Sequence, residues 1–183
     1  MLLLSILSFT GLAASVAATT QPATAPCSDT GLPFNITALN GVDGESVLEC
    51  WQLEHQFRLT SRSGIAGSQS LFMGDLTNGT YNIIPARYDG GFHNAPAFQY
   101  VLVISGLAHI TLHRGSDEYW QREGRYGLII AGDTADVSKH GHRTQFPGGT
   151  DTLSMGLPIP NRKDFRYTLL HSGPCTQEEM IGL

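Results

Sequence analysis

The sequence predicts an all-β fold, a sandwich or barrel made from one chain of short strands. Three observations predict it. The body of the chain breaks into short apolar or alternating pieces. Turn residues separate them, with 21 glycines and nine prolines among 183 residues. No stretch repeats apolar residues at the helical period, except for one turn near residues 162–167. Many short strands with frequent turn signals form sandwiches or barrels, and the length suits one domain.

Residues 19–46 are rich in Thr, Pro, Ala, Ser and Gly, and are expected to form an exposed arm. The β-rich domain with its C-terminal tail is then expected over residues 47–183. Residues 47–53 open it as a strand, and the polar, glycine-bearing stretch 60–70 follows as a loop. Residues 71–74 and 81–84 are the next strands, parted by the turn signal Asn78-Gly79. Residues 98–104 form the strongest apolar run. Ser105-Gly106 breaks it, and residues 108–113 then alternate, with Ile110 and Leu112 on one face. The two pieces are expected to pair as an antiparallel hairpin. His109, Thr111 and His113 share the other face, which is solvent or lumen, solvent being preferred. Residues 127–131 and 152–157 complete the set. Trp51 and Tyr100 are expected in the core, and Tyr119, Trp120 and Tyr126 in a surface cluster.

Residues 1–18 have the pattern of a signal peptide. An apolar run starts at Leu2, and Ser15-Val16-Ala17 or Val16-Ala17-Ala18 supplies the small residues before a cleavage point. A membrane anchor fits less well, because Ser8, Thr10 and Gly11 break the run and no basic flank follows. A secreted or lumenal protein is the expectation. The sequons Asn35-Ile36-Thr37 and Asn78-Gly79-Thr80 agree with it as glycosylation acceptors. An oxidising compartment makes one disulfide expected among Cys27, Cys50 and Cys175. Three pairings are open. Cys27 with Cys175 is favoured, since both follow proline in loop-like sequence near opposite ends. Cys50, in an apolar strand, is then a buried inert thiol. The net charge of −5 and the lack of a basic stripe argue against a nucleic-acid partner.

Two stretches carry the candidate chemistry. In the first, His93 follows Gly90-Gly91-Phe92, and Gln99 stands seven residues before Gly106. In the second, Gly132-Asp133 opens a segment that runs to His140-Gly141-His142. This order and spacing over about residues 51–170 resembles the two motifs of the cupins. In that family the first motif has the form G-x5-H-x-H-x3-4-E-x6-G and the second G-x5-P-x-G-x2-H-x3-N. His93 matches the first histidine. Ala95 stands where the second would be, and Gln99 replaces the glutamate. Ser138 replaces the proline of the second motif, and His142 falls one residue short of its histidine, with His140 as a competitor. The 156–167 stretch is similar to the closing segment of quercetinase-like cupins.

The resemblance implies a single jelly-roll β-barrel whose lumen holds a small organic molecule. It also implies a divalent metal (iron, nickel, manganese, copper or zinc) on His93, Gln99 and His142, or no metal at all. The overall pattern is similar to that of small leader-bearing fungal cupins, some of them tied to secondary metabolism. The function so implied is oxidation of a small aromatic or polyketide-like metabolite. Two alternatives stand beside it. One is a metal-free cyclase, isomerase or dehydratase in which the lumen histidines act as acid and base. The other is a non-catalytic barrel whose lumen holds an apolar small molecule, or which dimerises through an edge of its sheet. Neither a serine nucleophile elbow nor a His-Glu-x-x-His helix occurs.

Overall fold

A computed structural model describes residues 31–180. Twelve strands follow in order: β1 Leu32–Val42, β2 Glu45–Leu59, β3 Gln69–Ser70, β4 Thr80–Ile84, β5 Tyr88–His93 and β6 Gln99–Ser105, then β7 Leu107–Leu112, β8 Glu118–Arg122, β9 Leu128–Ala131, β10 His142–Phe146, β11 Thr152–Pro158 and β12 Tyr167–Ser172. Single 3-10 turns at Gly124–Tyr126 and Arg162–Asp164 are the helical elements among the described residues. The chain is therefore all-β, as its alternation predicts.

The strands form two sheets. The larger runs β12-β2-β1-β9-β6-β11-β4, with β3 beside β2; the smaller runs β5-β10-β7-β8. Neither closes on itself. They face one another, since Leu39, Leu48 and Ile129 of the larger sheet pack with Ile110 and Tyr119 of the smaller. The larger sheet also buries its outer face. There Ile36, Trp51, Phe98, Tyr100 and Ile130 form a second core capped by Phe165. Alternation along β6 and the residue before it divides the two compartments: Phe98 and Tyr100 point outward, while Gln99, Val101 and Val103 face the smaller sheet. Burial pushes the Tyr100 hydroxyl up to about 12.

Five sequence expectations are corrected, the last being the disulfide pairing. The arm expected over 19–46 is ordered strand from Leu32, and β1 is an interior strand of the larger sheet, antiparallel to β2 and parallel to β9. Its polar residues are buried because distant groups satisfy them. Thr37 Oγ1 accepts from the Cys175 amide, and Asn40 Oδ1 accepts from Arg162. The expected hairpin of 98–104 with 108–113 is absent. Gly106, at φ +98°, turns the chain from β6 in one sheet to β7 in the other, and β7 pairs with β8 and β10. Residues 71–74 run without strand pairing, although Met73 packs on the outer core. Tyr119 is buried rather than superficial, and its hydroxyl reaches the Met180 sulfur.

The disulfide joins Cys50 and Cys175, not Cys27 and Cys175, so Cys50 is not a free thiol. The partners meet because β12 lies antiparallel on β2, with His171 opposite Cys50. The tail after β12 then turns inward and seats Cys175 and Met180 beside Tyr126. Cys27 and the leader at 1–18 lie outside the described residues. No helix among the described residues is long and apolar enough to cross a membrane. Of the two sequons, Asn78 is exposed. Asn35 is half-buried on β1, where its amide donates to the Glu179 carbonyl and accepts from Gln52.

Candidate functional site

Between the sheets lies a cavity of about 380 Å³, within the roughly 300–1,000 Å³ typical of small-molecule sites. Its floor is apolar and closed: Leu39, Val103, Ile110 and Ile129 are each at most 2% exposed. Its open side is marked by the exposed Tyr88 and His93. The wall carries no Lys, Arg, Asp or Glu.

The three residues singled out by spacing, His93, Gln99 and His142, all line this cavity. His93 ends β5 and His142 begins β10, and the two are cross-strand partners. Their ring centroids are 4.5 Å apart. Two features hold that register. Gly141, at φ +65°, lets the chain pass so close to His93 that a Cβ there would stand 2.0 Å from the His93 carbonyl oxygen. Further along the same strands Arg143 forms an ion pair with Asp89. The Arg143 guanidinium and the Gly91 amide hold the Asp89 carboxyl down at about 2.

A buried polar chain stands behind His142. Its Nδ1 lies 2.7 Å from Oδ2 of Asp133, which is fully buried. The same oxygen accepts from Ser46 Oγ at 2.7 Å. The single hydroxyl proton of Ser46 is thereby committed, so Ser138 is the donor in the 2.8 Å contact between the two serines. Ser138 Oγ in turn accepts from the Gly141 amide. Asn94 ties the loop together by donating to the carbonyls of Asp133 and Ser138. A carboxylate that accepts from Nδ1 fixes the His142 tautomer and leaves Nε2 as the basic nitrogen. His93 is set the same way, since its Nδ1 lies 3.0 Å from the Gly91 carbonyl, which can only accept.

Sequence spacing places Asp133 at a motif opening but gives it no role. Its role, and those of Ser46 and Ser138, arise from contacts across 87 and 92 residues. His140 is exposed and stacks on His113 outside the cavity, so His142 is the lumen histidine. His109 stacks on Trp120 and meets Glu118, away from the cavity, on the face that Ala108 and Ile110 do not use.

Gln99 faces the same space from β6. It is 9% exposed and has no side-chain hydrogen-bond partner among the described residues. Its Oε1 lies 3.1 Å from where a Cβ of residue 156 would stand, so glycine at 156 leaves room for the amide.

As a metal site this donor set is poor. Two neutral imidazoles and one neutral amide supply no anionic ligand, and Ala95 supplies none. Asp133 faces the rear of His142 through a hydrogen bond. Elsewhere Cys50, His171 and Glu179 bring ligand atoms within 4.8 Å of one another. The sulfur there belongs to a disulfide, however, and offers no thiolate.

No protein-family model matches the chain, and no curated protein or solved structure matches it.

Proposed function

We propose that this protein is a secreted, cupin-like enzyme of proton transfer, its barrel left open as two sheets. It binds a small organic molecule between the sheets and isomerises, cyclises or dehydrates it. The observation that carries this reading is the buried Asp133–His142 pair at the wall of a largely apolar cavity that opens beside Tyr88 and His93. His142 Nε2 is the general base. Asp133 holds the ring in place and stabilises the imidazolium that forms when the proton arrives. His93, partly open to solvent, exchanges that proton with water or returns it to the product. A positioned histidine of this kind contributes roughly 10²–10⁴-fold to rate.

Metal-dependent oxidation is the second reading. One observation favours it: a metal-bound histidine usually donates its other nitrogen to a carboxylate, as His142 does to Asp133. His93, His142 and Gln99 would then hold the ion.

The deciding experiment follows α-proton exchange of an enolisable ketone, 1-tetralone, in D2O by proton NMR. The full chain is used before and after chelation, with metal content read by elemental mass spectrometry. Exchange that survives chelation and falls at least about a hundredfold in His142→Asn supports proton transfer. This variant keeps a donor toward Asp133 and removes Nε2. Exchange lost on chelation and restored by one metal equivalent moves the assignment to the second reading. Ketone binding with no exchange in any form leaves a ligand-binding protein and overturns both.

A further inference from the structure

We infer that the cavity selects uncharged ligands and anchors them by one carbonyl group on the side-chain amide of Gln99. The inference deepens the proton-transfer reading and rests on it for the chemistry, though not for the binding.

Two independent observations carry it. The first is the missing charge. A cavity of about 380 Å³ whose wall carries no Lys, Arg, Asp or Glu, and only the two histidines as groups that titrate near neutral pH, offers no permanent counter-ion to a carboxylate, phosphate or ammonium, and an unpaired charge is costly to strip of water. The second is Gln99. The Gln99 side chain is nine-tenths buried and makes no hydrogen bond within the described residues, while its amide atoms stay accessible at the cavity wall, and a polar group so placed normally finds a partner. Its neighbours across the ladders, Ala131 and Pro158, bring it no side-chain donor or acceptor. The group is therefore held ready for something that enters the cavity. A ligand carbonyl answers it by accepting from Nε2–H, and the rest of an apolar molecule fills the space over Val101, Val103 and Ile129.

Gln99 and His142 sit on opposite sheets and face the same space. That division suits a β,γ-unsaturated ketone or lactone. The carbonyl oxygen takes the hydrogen bond from Gln99, and His142 Nε2 removes a proton from the carbon beside it. The C–H electron pair becomes the C=C of a dienolate, and the carbonyl π pair moves onto the oxygen. Return of the proton to the γ-carbon gives the conjugated isomer. Nothing is oxidised or reduced, and no co-reactant is consumed. Gln99 is the positioning and polarising group, and its hydrogen bond strengthens as charge grows on the oxygen.

The test compares three probes of one size by titration calorimetry on the full chain at pH 7: 1-tetralone, tetralin and 1-naphthoate. The ketone is expected to bind roughly three- to tenfold more tightly than the hydrocarbon, as one buried hydrogen bond allows. The carboxylate is expected to bind at least about tenfold more weakly than the ketone. Gln99→Met, close in volume, should erase the preference for ketone over hydrocarbon and keep tetralin affinity. Gln99→Leu gives the same comparison should the first variant fold poorly. Three outcomes overturn the inference: naphthoate binding as tightly as tetralone, a ketone preference that persists in both variants, or no binding of any probe at millimolar concentration. If the ketone preference depends on Gln99 but α-proton exchange does not depend on His142, the ligand class stands and the proton-transfer reading falls. If exchange depends on His142 while the preference ignores Gln99, the reverse holds.

Discussion

Replacing both Cys50 and Cys175 by alanine removes a cross-link between residues 125 apart. In the chain-entropy description, closing a loop of that length lowers the entropy of the unfolded chain by about 16 cal/mol/K, or about 5 kcal/mol at 25 °C. Removing two sulfurs that are 0% and 5% exposed adds about 1–2 kcal/mol of lost packing. Measured disulfide losses are usually smaller than the entropy figure, so the expected cost is about 3–6 kcal/mol. That is a large part of the roughly 5–15 kcal/mol that holds a domain folded. Urea titration followed by tryptophan fluorescence reads it directly, because Trp51 is fully buried one residue from Cys50. With a slope of roughly 2 kcal/mol per molar, the midpoint should fall by about 1.5–3 M. Cys27→Ala alone should leave the midpoint in place. A large drop in Cys27→Ala with little change in the double variant would refute the reasoning, as would peptide mapping that links Cys27 to either partner.

Three further predictions concern the site and the tail. Asp133→Asn should slow α-proton exchange by about 10²-fold or more while leaving tetralone affinity within about twofold, since an amide can present a donor to Nδ1 and so favour the wrong tautomer; calorimetry and NMR on one sample check both. Gly141→Ala should cost more than about 2 kcal/mol in urea unfolding, because the position has positive φ and the new Cβ would meet the His93 backbone at 2.0 Å; unchanged stability would contradict the observed β5–β10 approach. The tail contact between His171 and Glu179 should be strongest between about pH 4.5 and 6.5. The Ser172 carbonyl and Glu179 raise His171 above its ordinary 6.5, so its contribution is complete below that value and is lost as pH rises through the folded pKa. The Thr176 amide and hydroxyl, together with His171, lower Glu179 below 4.5, so its contribution is complete above that value and is lost as pH falls through the folded pKa. Amide-exchange protection of residues 176–180, corrected for intrinsic rates, should peak in that window.

Much of the strand content was legible because alternation is local. The run that became β7 shows it directly, and the short apolar runs that became β4, β6, β9 and β11 stand out between turn residues; the two-residue period of a strand then places Tyr100 and Val101 of β6 in different compartments. Pairing was not legible for the same reason. The apolar run of β6 and the alternation of β7 say that each is a strand, but nothing within either says that Gly106 sends the second to another sheet. β1 was missed because Asn35, Thr37 and Asn40 look like loop residues until partners from β2, the 162 turn and the tail reach them. The cavity side chains His93, Gln99 and His142 could be singled out because motif spacing survives in sequence. The groups that set His142 could not, since Ser46 and Asp133 are far apart in the chain and meet only in the folded core. Cys50 looked like an inert thiol because its surroundings are apolar; the partner comes from the antiparallel return of β12.

The order of the three cysteines sets a hazard for biosynthesis. A chain made from its N-terminus presents Cys27 and Cys50 first, and Cys175 follows 125 residues after Cys50. At roughly 5–20 residues per second that interval lasts about 6–25 s. In an oxidising lumen the two early thiols have no other partner in the chain during that time. A Cys27–Cys50 bridge made then would have to be exchanged before β12 can bring Cys175 home, so yield of the native form should depend on disulfide isomerase, and Cys27 would be the residue that makes it so.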